Sequence, residues 1–289
     1  MRRLCFATML AGLTVSAAAA QTTPTLPADQ CRIEATYRLT YRSDSTNPAT
    51  HAEPMRLQMG SKLSRFESLN AVREDSLMDA ALARAEKKAG PDGVIHLNLE
   101  GAGLEGLRTN FKEVIFKGPA AGQLAVYDDI GTVTYVYQEP AAALAWTITP
   151  ATASVAGYAC QRATAAFGGR NWEVWFTREV PVADGPYKFA GLPGLIVKVG
   201  DTRGHYRYEL LKLRRLPAPL AMALPKPGAR PIAKAEFGRG KTEYERTAFE
   251  RLLANGNIRF GNGTPEETEV ARQRVRARAK KPTNPLELR

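Results

Sequence analysis

Between residues 33 and 42 apolar and polar side chains alternate without interruption, Ile33, Ala35, Tyr37, Leu39 and Tyr41 against Glu34, Thr36, Arg38, Thr40 and Arg42. Successive side chains leave a pleated strand on opposite sides, so this period of two predicts a strand with one buried and one wet face. The stretch 43–54, rich in Asn, Ser and Pro, predicts a turn or loop, and Met55, Leu57 and Met59 carry the alternation into a second strand. Residues 63–68 predict a short third strand. The period then changes. Leu77, Ala81, Leu82 and Ala85 fall at helical spacing within 75–88, and Gly90-Pro91 stops the run. Strands are predicted again over 94–99, 111–116, 123–128, 132–137, 145–149 and 158–167. Gly168-Gly169 suits a two-residue hairpin turn, where positive φ is needed. The returning strand, 171–177, sets Trp172, Val174 and Phe176 on one face and Glu173 and Trp175 on the other. A further hairpin is predicted from 195–199 and 206–213, turning at 201–204. The predicted class is mainly β, an antiparallel sheet with one inserted helix.

The organisation changes after Leu216. The stretch 216–231 holds five prolines and predicts an extended connector. Residues 242–253 predict a helix ending near Asn255-Gly256. Thr264-Pro265-Glu266-Glu267 has the marks of another helix start, with Thr as N-cap and Pro at the first position. That helix is predicted to run to about 281, with Arg272, Arg274, Arg276, Arg278, Lys280 and Lys281 all round it, so it is either solvated or laid on an anionic partner. At the other end, Arg2 and Arg3 precede an apolar run, 4–15, and four alanines, 17–20, fit cleavage before Gln21. That apolar core is shorter than the roughly 20 residues that span a bilayer, and no later stretch reads as a membrane helix. The expected division is 1–20 signal peptide, 21–30 flexible lead-in, 31–216 antiparallel β domain, 217–241 Pro-rich connector and 242–289 basic helical tail. The expected compartment is the periplasm or the exterior.

Forty Lys and Arg against 29 Asp and Glu leave a net charge of +11, which loss of Arg2 and Arg3 with the leader would lower by two. A basic exported protein is drawn to anionic lipid or acidic polymer, although ordinary surface charge gives the same count. Cys31 and Cys160 lie beyond the leader. In an oxidising compartment they could form one disulfide, or each could be a small buried hydrophobe. His51, His96 and His205 share no ligand spacing with Cys or with one another, so no metal is expected. There is no HExxH and no GxSxG elbow, so no catalytic residue is assigned. Glu173 and Asp201 could converge as acid and base, or could bridge to Arg170 or Lys188 on strand faces. Gly101-Ala-Gly-Leu-Glu-Gly106 spells GxGxxG, but no helix pattern follows and the segment reads as a loop. Neither a cofactor nor nucleic acid is expected, and enzymatic activity is not the favoured reading.

The segment 157–201 carries a resemblance. It reads Gly157-Tyr-Ala-Cys160, Phe167-Gly-Gly-Arg170-Asn-Trp172, Trp175-Phe-Thr177, Gly185-Pro186-Tyr-Lys-Phe189 and Gly191-Leu192-Pro193-Gly194-Leu195-Ile196. This resembles the GLPGLI family of exported, Bacteroidetes-type envelope proteins, named for that last hexapeptide. The strand ending Tyr41-Arg-Ser-Asp44, the segment Ser64-Arg-Phe-Glu-Ser68 and the ending Asn284-Pro-Leu-Glu-Leu288 are similar to the family as well. The resemblance implies a curved antiparallel sheet, half-barrel-like and similar to periplasmic lipoprotein carriers, with the inserted and C-terminal helices added to it. It supplies no catalytic residues. Physically, Gly191, Pro193 and Gly194 punctuate an apolar run just before a strand, and Gly185-Pro186 adds a second turn. The expected result is a rigid, folded-over loop that seats Tyr187, Phe189 and Leu192.

Two surfaces follow for function. A curved sheet with an aromatic, partly unfilled concave face is a natural container for an acyl chain or apolar peptide. Trp172, Trp175, Tyr135, Tyr137 and Trp146 are its candidate lining, and alternation allows only one of Trp172 and Trp175 to reach it. Alternatively the chain docks to another envelope protein through its sheet edge or basic tail, or it is a hydrolase whose site has no sequence signature.

Overall fold

The computed structural model describes residues 22–87, 103, 107, 109–118, 122–141, 144–225, 228–254, 264–267, 269–270, 273 and 284–288. The expected export leader at 1–20, the strand expected over 94–99 with His96, most of 101–106 and the Arg-rich end of the helix expected to run to about 281 lie outside them.

Twelve strands form one sheet: β1 (Gln30–Tyr41), β2 (His51–Met59), β3 (Ser64–Ser68), β4 (Val114–Lys117), β5 (Gln123–Ile130), β6 (Val133–Pro140), β7 (Thr147–Val155), β8 (Tyr158–Phe167), β9 (Arg170–Thr177), β10 (Leu195–Asp201), β11 (Tyr206–Ala221) and β12 (Arg230–Pro231). The order is β12-β6-β5-β4-β3-β2-β1-β11-β10-β9-β8-β7. Two antiparallel meanders, β1 to β6 and β7 to β11, are thus zipped together by β1 and β11, and among the described residues only β12 pairs in parallel. Ten inter-strand steps separate β6 from β7, about 48 Å at ~4.8 Å each. The six residues 141–146 that join them reach at most about 25 Å. The sheet must therefore curl until its ends approach, which gives it an inside and an outside.

Local chemistry explains the elements. Gly168 and Gly169 both take positive φ, 57° and 72°, in the turn that joins β8 to β9, as the Gly-Gly pair predicts. A second hairpin turns at Ala156-Gly157, also both at positive φ, and extends β7 well past the expected 145–149. Helix α1 (Leu69–Glu86) begins earlier than predicted, because Ser68 ends β3 and caps the helix at once, its Oγ accepting the N–H of Asn70 and Ala71. Its buried line is Ala81 and Ala85, while Leu82 turns outward. The proline-rich stretch opens with more strand: β11 continues to Ala221, with Pro217 and Pro219 in the irregular register between Arg215 and Leu220. A bulge tolerates the missing N–H that a regular ladder would not. Helix α2 (Lys234–Ala254) starts eight residues before the expected 242 and lies on β5 and β6 through Phe237 and Lys241. Thr264 and Glu267 cap the following helix reciprocally, as the sequence predicts.

The inside of the curl is filled. Tyr37, Leu39, Leu57, Phe66, Ile115, Val126, Trp172, Val174, Phe176 and Tyr208 point into it from the strands, and Phe111, Tyr187, Phe189, Leu192 and Leu286 fill it from the connections. A smaller cluster, Cys31, Leu63, Phe116, Ala125, Tyr127, Val136 and Met222, sits on the outer face, where Leu26 of the lead-in packs against it. The lead-in is also held by Asp29, whose carboxylate accepts the N–H of Gln30, Lys62 and Leu63. Cys31 and Cys160 are free thiols, so the disulfide considered from sequence is not formed. The reason is topological: they belong to different clusters, and β1 and β8 are four strands apart, roughly 19 Å, beyond any disulfide span.

Candidate functional site

The connection from β9 to β10, 178–194, folds over the interior, and its own backbone explains how. The N–H of Phe189 bonds the carbonyl of Pro186, that of Gly191 the carbonyl of Ala183, and that of Gly194 the carbonyl of Leu192. Leu195 and Ile196 return the chain to the sheet by bonding Val180 and Asp184, and the Tyr37 hydroxyl donates to the Ile196 carbonyl at 2.8 Å. Lys117 reaches across from β4 to the Gly185 carbonyl and the Asp184 carboxylate. Burial lowers the Lys117 pKa, and Asp184 opposes that. Gly185, Pro186, Gly191, Leu192, Pro193, Gly194, Leu195 and Ile196 therefore form a structural plug, with Leu192, Leu195 and Ile196 fully buried.

The five candidate lining residues do not converge on one groove. Trp172 is 1% exposed, its ring against Phe189 and its Nε1–H on the Phe167 carbonyl, so no face of it is open to a ligand. Alternation sends it inward, and the plug then covers it. Trp146 is half-buried against Phe189 and donates to the Ala190 carbonyl. Tyr135 and Tyr137 pack against Phe237 of α2, their rings tilted to it by 60° and 39°. Trp175 lies on the other face of β9, as predicted, and donates to Glu173. Glu173 and Asp201 do not meet: Glu173 pairs with Arg162 on that outer face, and Asp201 turns inward to Arg170.

Two charged arrangements emerge that sequence spacing does not show. The first lies between the plug, α2 and the β4–β6 face. Lys188, 3% exposed at its side chain, pairs with Glu139 and Glu287. Lys234 of α2 reaches the same two carboxylates, and the Tyr187 hydroxyl donates to Glu287. Burial pushes Glu287 up, but Lys188, Lys234 and Tyr187 together outweigh it and hold its pKa down at about 2. Tyr187 adopts φ +53°, a conformation uncommon outside glycine. Nearby, burial raises Glu113 to about 7, helped by the Asp128 carboxylate and opposed by Lys241 and Lys188. The hydroxyl of fully buried Tyr208 has no hydrogen-bond partner among the described residues.

The second arrangement surrounds Arg170, the first residue of β9. Its guanidinium donates to Asp201, to the Asn284 side chain and to the carbonyls of Pro285 and Leu286, at 2.6–2.9 Å. Its plane lies over Tyr206, 4.9 Å from the ring centroid. Asp201 is itself fixed by the N–H of His205 and Tyr206.

Open surface lies elsewhere. β7 ends the sheet, most of its side chains are exposed, and its nine residues carry no charge. Beside it a groove of about 570 Å³ is lined by Thr152, Ser154, Cys160, Phe176, Arg178 and Glu179, among others. The opposite end of the sheet is covered by β12 and α2. A second cavity, about 350 Å³, lies between α1 and β3–β4 and is lined by Arg65, Glu67, Asp75, Asp79 and Lys112. Among the described residues no group of three or more His, Cys, Asp or Glu could hold a metal ion. Among them, too, no helix is long and apolar enough to cross a membrane.

Residues 169–198 match a family described as a protein of unknown function, Porph_ging. That family is associated with Bacteroidetes, and the short match is consistent with a Bacteroidetes-type protein. No curated protein matches. Among solved structures the chain is similar to PNGF-II in its P21 crystal form, at 14% identity over 74% of this chain and 33% of that one, with a TM-score of 0.49. The C2 form of PNGF-II gives 13% identity over 75% of this chain and 34% of that one, at the same TM-score. The chain thus spans about a third of the length of those proteins.

Proposed function

We propose that this is an exported envelope protein of GLPGLI type that acts by binding, and that it offers the free edge of its sheet, β7, to an extended segment of a partner protein. The observation that carries the reading is the contrast between the two sheet ends. One is covered by β12 and α2, and at the other the outer edge of β7, nine uncharged residues paired on one side with β8, meets no further strand among the described residues and lies beside an open groove. Edge strands expose a row of backbone donors and acceptors, and proteins ordinarily blunt them with charge, proline or cover. β7 has Pro150 and an irregular register between Ile148 and Thr152, which leaves 152–155 as the regular, pairing-competent part. An added strand would gain main-chain bonds there and set alternate side chains toward the groove.

The interior supports this choice over an apolar carrier. Tyr187, Phe189 and Leu192 occupy the volume that an acyl chain would need. The test is site-specific photo-cross-linking in the native envelope from position 153 on β7, with position 239 on α2 as control. A discrete adduct from 153 that disappears when Thr152→Pro is added supports edge docking. Equal adducts from both positions, or none from 153, would refute it.

A further inference from the structure

The segment Asn284–Leu288 lies against the fold as a bound peptide lies in a receptor. The Asn284 side chain accepts from Arg170 and donates to the Arg42 carbonyl, while its N–H bonds the Ser43 carbonyl and its own carbonyl accepts the Tyr206 hydroxyl. Pro285 and Leu286 give their carbonyls to Arg170, and the Leu286 side chain enters the core. The Glu287 carboxylate is taken by Lys188, Lys234 and Tyr187. The Leu288 N–H closes on the Gly168 carbonyl, at a turn where a Cβ would strike Glu287. Backbone hydrogen bonds at four of its five residues, with side-chain contacts at three, are how peptide-binding sites combine affinity with selectivity.

Each receiving group also has a partner outside the segment. Asp201, itself held by the N–H groups of His205 and Tyr206, accepts from Arg170, and Glu139 pairs with Lys188. The φ of +53° at Tyr187 is imposed by the turn that bonds Phe189 to Pro186. Emptying the cleft would leave Arg170 without three of its acceptors and Lys188 without one of its two carboxylates, so an equivalent ligand is strongly favoured.

We propose that this cleft is a peptide-binding site for segments of the pattern Asn-Pro-Leu-Glu, filled in this structure by the chain's own residues 284–288. It takes an acidic, proline-containing peptide, with the Asn amide and the Glu carboxylate as the recognised groups. The assignment is independent of the β7 edge.

The test uses the full chain carrying Asn284→Ala and Glu287→Gln, which weakens the resident segment and leaves the receptor intact. The probe is a fluorescein-labelled peptide Asn-Pro-Leu-Glu-Leu, read by anisotropy. The expected result is saturable binding at least about tenfold tighter than to the unaltered chain, and at least about tenfold weaker when the peptide carries Gln in place of Glu. A variant that melts cooperatively but binds neither peptide overturns the proposal. If the double variant does not fold, hydrogen exchange of the unaltered chain decides. Excess peptide must speed exchange at the amides of residues 284 and 288, and unchanged exchange at saturating peptide also overturns it.

Discussion

Of the plug's glycines, Gly194 leaves the least room for a side chain against neighbouring backbone, and Gly194→Ala tests the reasoning about that loop. Its φ is +149°, outside the usual range of residues with a side chain, which costs roughly 1–3 kcal/mol. A Cβ there would also lie 2.0 Å from the Thr177 carbonyl oxygen and 2.7 Å from its carbon. Both are backbone atoms at the end of β9, so the overlap cannot be relieved by a rotamer change. Overpacking of this kind adds about 1–3 kcal/mol, for a total of about 2–6 kcal/mol. Gly191→Ala is the internal control. Its φ is +92°, but nothing lies within 4 Å of the added Cβ, so only the conformational part applies. Urea unfolding followed by tryptophan fluorescence reads both. With a slope of roughly 2–3 kcal/mol per molar, Gly194→Ala should lower the midpoint by about 0.7–3 M and Gly191→Ala by about half as much, roughly 0.3–1.5 M. A Gly194→Ala midpoint equal to wild type, or a larger effect from Gly191→Ala, would refute the close-approach argument.

The two faces of β9 predict unequal tryptophans: Trp172→Ala should destabilise by about 3–5 kcal/mol and Trp175→Ala by roughly 1 kcal/mol or less, and comparable losses in thermal melts would contradict the assignment of faces. Glu113 binds its proton more tightly folded than unfolded, so the stability it contributes is complete below about pH 4.5 and is lost as pH rises through about 7. Glu113→Gln should remove that decline, up to about 3 kcal/mol between pH 5 and 8, and parallel melting curves for variant and wild type would show the group to be unperturbed. Cys31 and Cys160 should both react with a thiol reagent on denaturation without reductant and neither in the native fold, whereas a denatured chain that reacts only after reduction would mean that a bridge exists.

The sequence by itself determined the local structure. Alternation at 33–42, the double glycine at 168–169 and the strand pattern at 171–177 each correspond to an observed element, because period and turn chemistry act over a few residues. The folded-over loop seating Tyr187, Phe189 and Leu192 was legible for the same reason. Helix starts were less so: Ser68 is both the last strand residue and the cap, and no pattern separates those roles. What only the tertiary structure decided is where distant pieces meet. The inner face of the curl is lined by aromatics in sequence, but whether it is an open container depends on the plug lying across it from β9 to β10. Arg170 could be read as a partner for Asp201 on β10, yet three of its acceptors come from residues 284–286, more than a hundred positions away. Lys188, Glu139, Lys234 and Glu287 come from the plug, β6, α2 and the C-terminal segment. Pairing across such separations is set by the curl of the sheet and the route of the chain over it, to which a local hydrophobic period is blind.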